Sequence, residues 1–306
     1  MSWSGKNGDM AEIIVGIDGS DNALHAAAWA TYEAAQRSLP IRLVSCYHIT
    51  TYGDVGMGGV PIDVEAVSLL RDRAQEDLGK AAEFVRTLDP TVAVSTSDIH
   101  GAAQFELTNA CTADDILVVG SRGTTGFFKD LVGSVATAVS HRAPCPVMVI
   151  PPSAKAPAPD QPLRVVVGVD GSECAAQAMR WGYDEAHRSG GTLVLAHAWS
   201  YTYIGSVHGM PVVSSDDIRS DAEGLLHSVR DSLVAAHAGE PETPIETVLA
   251  NDSPRHLLTE LSSDADLVVV GSHGHSGLAG VLLGSVSRGI VEHAHCAVTV
   301  LREARS

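Results

Sequence analysis

Apolar and polar positions follow two different periods along the chain. Runs such as IIVGI and ILVVG are almost entirely apolar and rich in β-branched residues, which is typical of strands buried on both faces of a sheet. The stretch LLRDRAQEDLGKAAEFVRTL has apolar residues three and four positions apart, which predicts an amphipathic helix. These patterns predict strands near 12–17, 41–48, 91–98, 115–120 and 146–150, helices near 22–38, 63–88, 102–111 and 134–141, and further strands near 164–169, 192–198, 244–250, 266–271 and 297–301.

The chain contains the same sequence pattern twice. The corresponding segments are EIIVGIDGS at 12–20 and RVVVGVDGS at 164–172, DDILVVGSRG at 114–123 and ADLVVVGSHG at 265–274, and LVGSVATAVSHRAPCPVMVI at 131–150 and LLGSVSRGIVEHAHCAVTVL at 282–301. The offset between the copies is 151–152 residues throughout. Two copies of one domain are therefore present, and each serves as an internal control for the other.

The alternation of strands and helices in each copy predicts an α/β fold. Right-handed crossovers would connect parallel strands, and helices would cover both faces of the sheet. We expect two repeated doubly wound domains, at residues 1–150 and 164–306. Residues 151–163 between them form a Pro-rich linker, since five prolines in PPSAKAPAPDQP favour an extended, semi-rigid chain.

Composition narrows the classes of function. The chain has 306 residues and a formal net charge of −17, which argues against a nucleic-acid-binding surface rich in Lys and Arg. It has no apolar run of about 18 residues, so no membrane span is expected. The first ten residues are polar and Gly-rich, unlike a signal peptide, and the five scattered cysteines suit reduced thiols. We expect a cytoplasmic protein.

A glycine-rich loop follows the fourth predicted strand in each copy. The first copy reads Gly120-Ser-Arg-Gly123, nine residues, then Gly133-Ser134, and the second reads Gly271-Ser-His-Gly274, nine residues, then Gly284-Ser285. Glycines allow the backbone to approach an anion closely, and the N–H groups at a helix start point towards it. The loops therefore predict phosphate binding. The alternative, a plain turn with a helix cap, is disfavoured because the pattern occurs twice.

An aspartate follows the first predicted strand in each copy, Asp18 in GIDGS and Asp170 in GVDGS. Ligands of open parallel sheets bind beyond the carboxyl ends of the strands, where the strand order reverses. A carboxylate there can accept hydrogen bonds from ribose hydroxyls or from nearby backbone. The alternative is that the aspartate caps the next helix, although Ser20 and Ser172 could do so alone.

These residues together resemble the universal stress protein family. The pattern G-x-x-G, nine residues, G-S/T, with an early strand ending in Asp, occurs in both copies, as in tandem-domain members of the family. The resemblance implies a five-stranded parallel sheet of order 3-2-1-4-5 in each domain. It also implies ATP, with Mg²⁺, as the cofactor, because the ATP-binding branch of the family retains this glycine motif.

The resemblance further implies which residues bind the nucleotide. Asp18 and Asp170 would lie near the ribose, and the backbone near His48 and Ala198, at the end of the second strand, would contact the adenine edge. The glycines that end the first strands would allow close approach, and the loop residues would hold the phosphates. The expected positions are Gly16, Asp18, His48, Gly120, Ser121, Arg122, Gly123, Thr124, Thr125, Gly126, Gly133, Ser134 and Val135 in the first copy, and Gly168, Asp170, Ala198, Gly271, Ser272, His273, Gly274, His275, Ser276, Gly277, Gly284, Ser285, Val286 and Ser287 in the second.

Partners are expected on the same resemblance. Adenine nucleotide is the expected ligand, and the expected protein partners are a second copy of this chain, forming a homodimer, and an unidentified regulatory protein. In the family the last strand often pairs across a domain or subunit interface. The corresponding strands here are Pro146–Ile150 and Ala297–Leu301.

The two glycine loops differ in charge. The first contains Arg122 and Lys129, whereas the second has only His273 and His275 between Gly271 and Gly284. Cationic side chains form strong hydrogen bonds to phosphate. We therefore expect weaker or more pH-sensitive triphosphate binding in the second domain.

Two kinds of function remain open, a nucleotide-dependent regulatory protein in stress or growth adaptation and an ATP hydrolase or adenylate-forming enzyme. The regulatory protein, with slow hydrolysis at most, is favoured. The only side chains near the loops that could act as a base are His273, His275 and Asp130. Walker A and G-x-S-x-G motifs do not occur, and the Ser-Gly-Gly-x-Asp-Ser loop of adenylating relatives is missing. EHAHC at Glu292–Cys296 is interpreted as a helix end rather than a metal site.

Overall fold

A computed structural model describes residues 11–48, 64–123, 133–200, 215–274 and 283–302 of the chain. The first half consists of β1 (Ile13–Gly16), α1 (Asp21–Arg37), β2 (Ile41–Tyr47), α2 (Val64–Leu88), β3 (Val94–His100), α3 (Ala103–Ala110), β4 (Ile116–Gly120), α4 (Ser134–Arg142) and β5 (Val147–Ile150). The second half consists of β6 (Arg164–Gly168), α5 (Glu173–Arg188), β7 (Thr192–Trp199), α6 (Ser215–Ala236), β8 (Ile245–Asn251), α7 (Pro254–Leu261), β9 (Leu267–Gly271), α8 (Ser285–His293) and β10 (Ala297–Leu301).

The predicted order of strands and helices is confirmed, and the bounds shift by a few residues where local hydrogen bonds decide them. β3 begins at Val94 because the Asp89 carboxylate accepts hydrogen bonds from the N–H (2.8 Å) and hydroxyl (2.7 Å) of Thr91, which hold the preceding residues in a turn. α1 ends at Arg37 because Ser38 adopts a left-handed conformation with φ of 55°. A left-handed residue cannot continue an α-helix.

All ten strands belong to one continuous sheet. Each half contributes five parallel strands in the expected order, β3-β2-β1-β4-β5 and β8-β7-β6-β9-β10. β5 and β10 then pair antiparallel, with Val149 opposite Val298 and Val147 opposite Val300. The two strands expected at an interface therefore join the halves inside one chain, which fixes the position of each half relative to the other.

Helices cover both faces of this sheet, as expected. α1, α2, α5 and α6 pack on one face, where the core includes Trp29, Leu78 and Tyr183. α3, α4, α7 and α8 pack on the other, where Leu107 and Leu258 belong to a second core. Each core contains buried residues from both halves, so the halves share their apolar interior. Every helix in the described ranges is too short or too polar to span a bilayer.

A cluster of buried charges links α1 of the first half to α5 of the second. Glu33 and Glu185, at equivalent positions of the two helices, have side chains that are 0% and 2% exposed. Arg37 contacts both carboxylates, with its Nε 2.9 Å from Glu33. Arg188 lies 3.1 Å from Oε1 of Glu185, the oxygen that Arg37 also contacts. The Arg37 guanidinium also lies over the Trp181 ring. The two carboxylates are thus neutralised by arginines from both halves.

The Pro-rich segment between the halves contains no helix or strand, yet it packs against both of them. Ala154 is buried in the core on the α1 and α5 face. The Gln36 side chain donates a hydrogen bond to the Pro159 carbonyl (2.9 Å), and Gln161 donates one to Asp266 (3.0 Å). These contacts order the segment, and the domain boundary placed there stays a prediction.

Replacing Arg37 with methionine is expected to lower the free energy of unfolding by about 3 kcal/mol, because two buried carboxylates lose a neutralising partner. Urea denaturation monitored by circular dichroism would measure the change. Arg180→Met is the matched control, since the exposed Arg180–Glu173 pair should contribute less than about 1 kcal/mol. Equal effects of the two substitutions would show that the buried cluster does not stabilise the chain.

Candidate functional site

The candidate sites lie at the carboxyl ends of the central strands. β1 pairs with β4 in parallel, and β6 pairs with β9 in the same way, so the loops that follow each pair of strands meet at one edge of the sheet. The strands that follow β1, namely β2 and β3, lie on one side of it, and the strand that follows β4, namely β5, lies on the other side. The strand order therefore reverses between β1 and β4, and in the same way between β6 and β9. The two predicted motifs of each half, the aspartate and the glycine loop, are therefore adjacent.

The serine after each aspartate holds the carboxylate in place. Ser20 donates a backbone hydrogen bond (3.1 Å) and a hydroxyl hydrogen bond (2.6 Å) to Oδ1 of Asp18. The same hydroxyl accepts the N–H of Ala23 and so caps α1. Ser172 and Asp170 repeat the arrangement at α5. The serines cap the helices, and the aspartates direct one oxygen elsewhere.

The second carboxylate oxygen of each aspartate faces a glycine of the loop after the fourth strand. A Cβ built on Gly123 would overlap Oδ2 of Asp18, and a Cβ on Gly274 would overlap Oδ2 of Asp170. Any side chain at these two positions would force the carboxylate or the loop to move. Glycine is thus required at Gly123 and Gly274 by the close approach of the aspartate.

The helix that follows each glycine loop has no side-chain cap at its N-terminus. The N–H of Gly133 donates to the Ser121 carbonyl, and the N–H of Gly284 to the Ser272 carbonyl, both at 2.7 Å, so each loop is closed at its base. Neither Gly133 nor Gly284 provides a side-chain cap. The N–H groups of the first turn after Gly133 and Gly284 therefore have no side-chain cap from these positions. These groups are donors for an anion.

A cavity lies over these features in each half. The first has a volume of about 150 Å³ and is lined by Gly16, Asp18, Val44, Cys46, Leu107, Arg122, Gly123, Gly133, Ser134 and Val135, among others. The second has about 630 Å³ and is lined by Gly168, Asp170, Ala196, His197, Ala198, Leu258, His273, Gly274, Gly284, Ser285, Val286 and Ser287, among others. Only the second falls within the range of about 300–1,000 Å³ typical of small-molecule sites. The second cavity therefore has the volume of a typical small-molecule site, and the first is smaller.

Two predicted loop positions, both serines, lie beside the cavities rather than on their walls, whereas Gly120 and Gly271 line the cavities. Ser121 and Ser272 are buried, 3% and 2% exposed, and neither lines a cavity. Gly120 faces Asn22, and Gly271 faces the backbone of Cys174, so these glycines allow the helices to pack closely against the strand ends. Both candidate cavities still contain the aspartate and the second glycine of each loop. The predicted positions Thr124, Thr125, Gly126, His275, Ser276 and Gly277, with Lys129 and Asp130, lie outside the described residues.

Near the end of the second strand, the residue that lines the first cavity is Cys46, two positions before the predicted His48. Cys46 and Ala198 occupy equivalent positions and both line their cavities, whereas His48 packs near the ring of His100. The apolar walls formed by Leu107 and Leu258 also escaped the sequence reasoning. The repeat offset of 152 along the second strand pairs Cys46 with Ala198 and would have identified Cys46 as the equivalent position.

The second cavity contains two histidines that the first lacks. Nδ1 of His197 lies 2.6 Å from the Val169 carbonyl and must carry the proton, because a carbonyl only accepts. The equivalent residue of the first half is the buried Ser45. Nδ1 of His273 lies 2.9 Å from the Ser272 hydroxyl, and its buried Nε2 has no partner among the described residues. His273 stands where the first half has Arg122.

One group of three metal-ligand side chains occurs in the described ranges, and none of the three lines either cavity. Asp252, His256 and Glu260 are one helical turn apart near the surface of α7. Nδ1 of His256 lies 2.5 Å from Asp252, and this hydrogen bond raises the pKa of His256 and lowers that of Asp252. Ion pairing along the helix accounts for the group without a metal.

Comparisons with known proteins agree with the family resemblance that the sequence motifs indicate. A model of the universal stress protein family matches residues 10–151 and 163–302. The universal stress protein Rv2623 of Mycobacterium tuberculosis is 33% identical over 299 residues, covering 95% of this chain and 96% of that relative. A universal stress protein of Mycolicibacterium smegmatis is 30% identical over 293 residues, covering 95% and 96%.

Solved structures match over the whole length of the chain. A universal stress protein from Archaeoglobus fulgidus superposes with a TM-score of 0.68 at 17% identity, covering 95% of this chain and 98% of that one. A putative universal stress protein from Pseudomonas aeruginosa has a TM-score of 0.58 at 18% identity, covering 96% and 93%. At these identities the likeness supports the fold alone.

Substituting Ser20 with alanine is expected to lower the free energy of unfolding by about 1 kcal/mol, because α1 loses its cap and Asp18 loses a hydroxyl hydrogen bond. Urea denaturation would measure the loss. Ser20→Thr keeps the hydroxyl and should stay within about 0.5 kcal/mol of the unsubstituted chain. A larger loss for threonine than for alanine would contradict the capping role.

Proposed function

Since this chain belongs to the universal stress protein family, we propose that each half binds one adenine nucleotide, with ATP and Mg²⁺ as the expected form. The observation that carries the proposal is the arrangement found twice at the carboxyl end of the sheet. In each half a glycine lies against a fixed aspartate, and an uncapped helix start faces the same cavity. An isolated turn would not need all of these features to converge.

The arrangement suits a polyphosphate in an acidic protein. The chain has a net charge of −17, and among the described residues Arg122 is the only Lys or Arg that lines either cavity. Phosphate binding would therefore rely largely on backbone N–H groups and helix dipoles. The first turns of α4 and α8 provide both, and the exposed hydroxyls of Ser134 and Ser285 add a donor each. Mg²⁺ would neutralise part of the remaining phosphate charge.

The rest of the nucleotide fits the remaining walls by its chemistry. The fixed carboxylates of Asp18 and Asp170 would accept hydrogen bonds from the ribose hydroxyls. The adenine ring would pack against apolar side chains, Leu107 in the first cavity and Leu258 in the second. The ribose is thus assigned to the carboxylate, the base to the apolar surface and the phosphates to the main chain.

We propose a regulatory role for the bound nucleotide in stress or growth adaptation, in which occupancy changes the conformation or the choice of a protein partner. A cytoplasmic location is proposed because all five cysteines are free thiols, four of them buried. A homodimer stays a prediction. Because β5 and β10 already pair with each other, a second copy would have to bind another surface, and light scattering of the purified chain would measure its mass.

The two sites are proposed to differ in their response to pH. Arg122 lines the first cavity, whereas His273 stands at the same position in the second. Histidine is the side chain that changes charge between pH 5 and 8. Binding of a triphosphate to the second site would therefore strengthen as the pH falls from 8 to 6, and binding to the first would change little.

Gly123→Leu and Gly274→Leu are each expected to remove one nucleotide per chain, because the new side chain would overlap the Asp18 or Asp170 carboxylate and fill the cavity. Mass spectrometry of the nucleotide released from denatured protein, with the moles counted per chain, would give two for the unsubstituted protein and one for each variant. The double variant should release none.

Gly79→Leu is the matched control for these substitutions. Gly79 lies in α2, and a Cβ there would meet no atom within 4 Å, so both nucleotides should be retained. Two nucleotides retained in both loop variants would refute the site assignment. Failure of the unsubstituted chain to hold or take up ATP would refute the proposed function.

A reciprocal exchange tests the pH difference. In the Gly274→Leu background, Arg122→His is expected to make ATP affinity of the first site about tenfold stronger at pH 6 than at pH 8, through a charge-assisted hydrogen bond to phosphate. In the Gly123→Leu background, His273→Arg should remove the pH dependence of the second site. Isothermal titration calorimetry at both pH values measures each affinity. Equal affinities of all four proteins at both pH values would contradict the proposal.

A further inference from the structure

A residue of the first half contacts the second site directly. Nδ1 of His141, in the last turn of α4, accepts a hydrogen bond of 2.9 Å from the N–H of Leu283. Leu283 is 7% exposed, lines the second cavity and directly precedes Gly284, where α8 begins. The hydrogen bond therefore connects the two halves at the edge of a candidate nucleotide site.

Two consecutive N–H groups anchor the start of α8, and they depend on different halves. The N–H of Gly284 donates to the Ser272 carbonyl of its own half at 2.7 Å, and the N–H of Leu283 donates to His141 of the other. A buried N–H without an acceptor is costly, so loss of the imidazole would favour a rearrangement of this segment. The same segment delivers Ser285 and the first-turn N–H groups to the cavity.

Only a neutral imidazole with its proton on Nε2 can accept at Nδ1. Burial, followed by the nearby cations Arg302 and Arg142 and then His273 and Arg288, lowers the pKa of His141. These groups come from its own helix, from the segment after β10, from the second glycine loop and from α8. The described surroundings thus keep the ring in the form that accepts.

Among the described residues, the position equivalent to His141 in α8 makes a different contact. The residue of α8 equivalent to His141, at the offset of 151, is Glu292. Its carboxylate forms an ion pair with Arg288 one turn earlier, at 2.8 Å. Two copies of one domain therefore differ at this position, and the difference lies where one half meets the site of the other.

We propose that His141 is a positioning residue of the second nucleotide site, supplied by the first half, so that the second site is complete only in the tandem chain. This inference rests on the proposed function. α4 has nine residues and spans about 13 Å. Its first turn lines the first cavity, and His141 in its last turn accepts the hydrogen bond from the Leu283 N–H. One short helix thus contacts both candidate sites.

The sign of the pH effect follows from the direction of the pKa shift. The pKa of His141 in the folded chain lies below the ordinary value of about 6.5. The hydrogen bond is therefore present at neutral pH and above, and it is lost as the pH falls through the lowered pKa. Asparagine at this position offers an amide oxygen in place of Nδ1 and does not titrate.

The test uses the full chain carrying Gly123→Leu, in which the second site alone remains, combined with His141→Asn, His141→Leu or the control Glu292→Gln. Calorimetry with ATP measures affinity at pH 7.5 and pH 5.0. Amide hydrogen exchange at Leu283, without nucleotide, measures the hydrogen bond itself.

At pH 7.5, His141→Leu is expected to weaken ATP binding about tenfold and to speed exchange at Leu283 by a similar factor, as for the loss of one hydrogen bond. His141→Asn and Glu292→Gln should stay within about twofold of the parent, since both keep the acceptor. The ratio of the affinity of the asparagine variant to that of the parent should be higher at pH 5.0 than at pH 7.5, because protonation removes the acceptor from the parent alone.

Unchanged exchange at Leu283 in His141→Leu would overturn the hydrogen bond. Faster exchange with unchanged ATP affinity would overturn the positioning role and leave the proposed function intact. A parent protein that binds no ATP while the unsubstituted chain does would show that the second site does not bind nucleotide, which also overturns the role. Absence of ATP binding in the unsubstituted chain would overturn the proposed function itself.

Discussion

Antiparallel pairing between β5 and β10 joins what would otherwise be two exposed sheet edges. Each of these strands is the outermost strand of its own half, and an unpaired edge presents a row of free N–H and C=O groups. Pairing Val149 with Val298 satisfies these groups and merges the two sheets into one of ten strands. The shared cores, the buried charges between α1 and α5, and the contact of α4 with the second glycine loop all depend on this junction.

The candidate sites depend mainly on backbone geometry. Gly123 and Gly274 are required because a carboxylate lies where a side chain would be, and the helix starts supply donors that belong to the main chain. Such a site tolerates change in the surrounding side chains, and the two halves differ there: Arg122 corresponds to His273, and Ser45 to His197. The common backbone supports the same ligand class in both halves, and the side chains can tune how each half responds.

The two copies differ at the position of His141, and the contact that His141 makes with the other half would be absent from two separate domains. His141 reaches the second site from the first half, whereas Glu292 at the equivalent position pairs within its own helix. The buried cluster around Arg37 fixes α1 against α5 and so limits movement between the halves. A rigid junction is what allows one side chain of one half to position the loop of the other.

Local and repeated features could be predicted from the sequence. The period of apolar residues predicted the strands and helices, because that period depends on neighbouring residues. The repeat predicted the two halves, and the family resemblance implied the strand order, because both depend on recognisable motifs. Local hydrogen bonds such as that of Asp89 with Thr91 moved bounds by a few residues. Near the end of β2 the first cavity is lined by Cys46 and not by the predicted His48, because the strand has no local feature that marks which of its residues face the cavity. The tertiary structure alone decided that β5 pairs with β10 inside the chain, that Arg37 neutralises Glu185, and that His141 contacts Leu283. These contacts join residues well over a hundred positions apart, and no pattern within a single element encodes them, since they arise only when two complete sheets pack edge to edge.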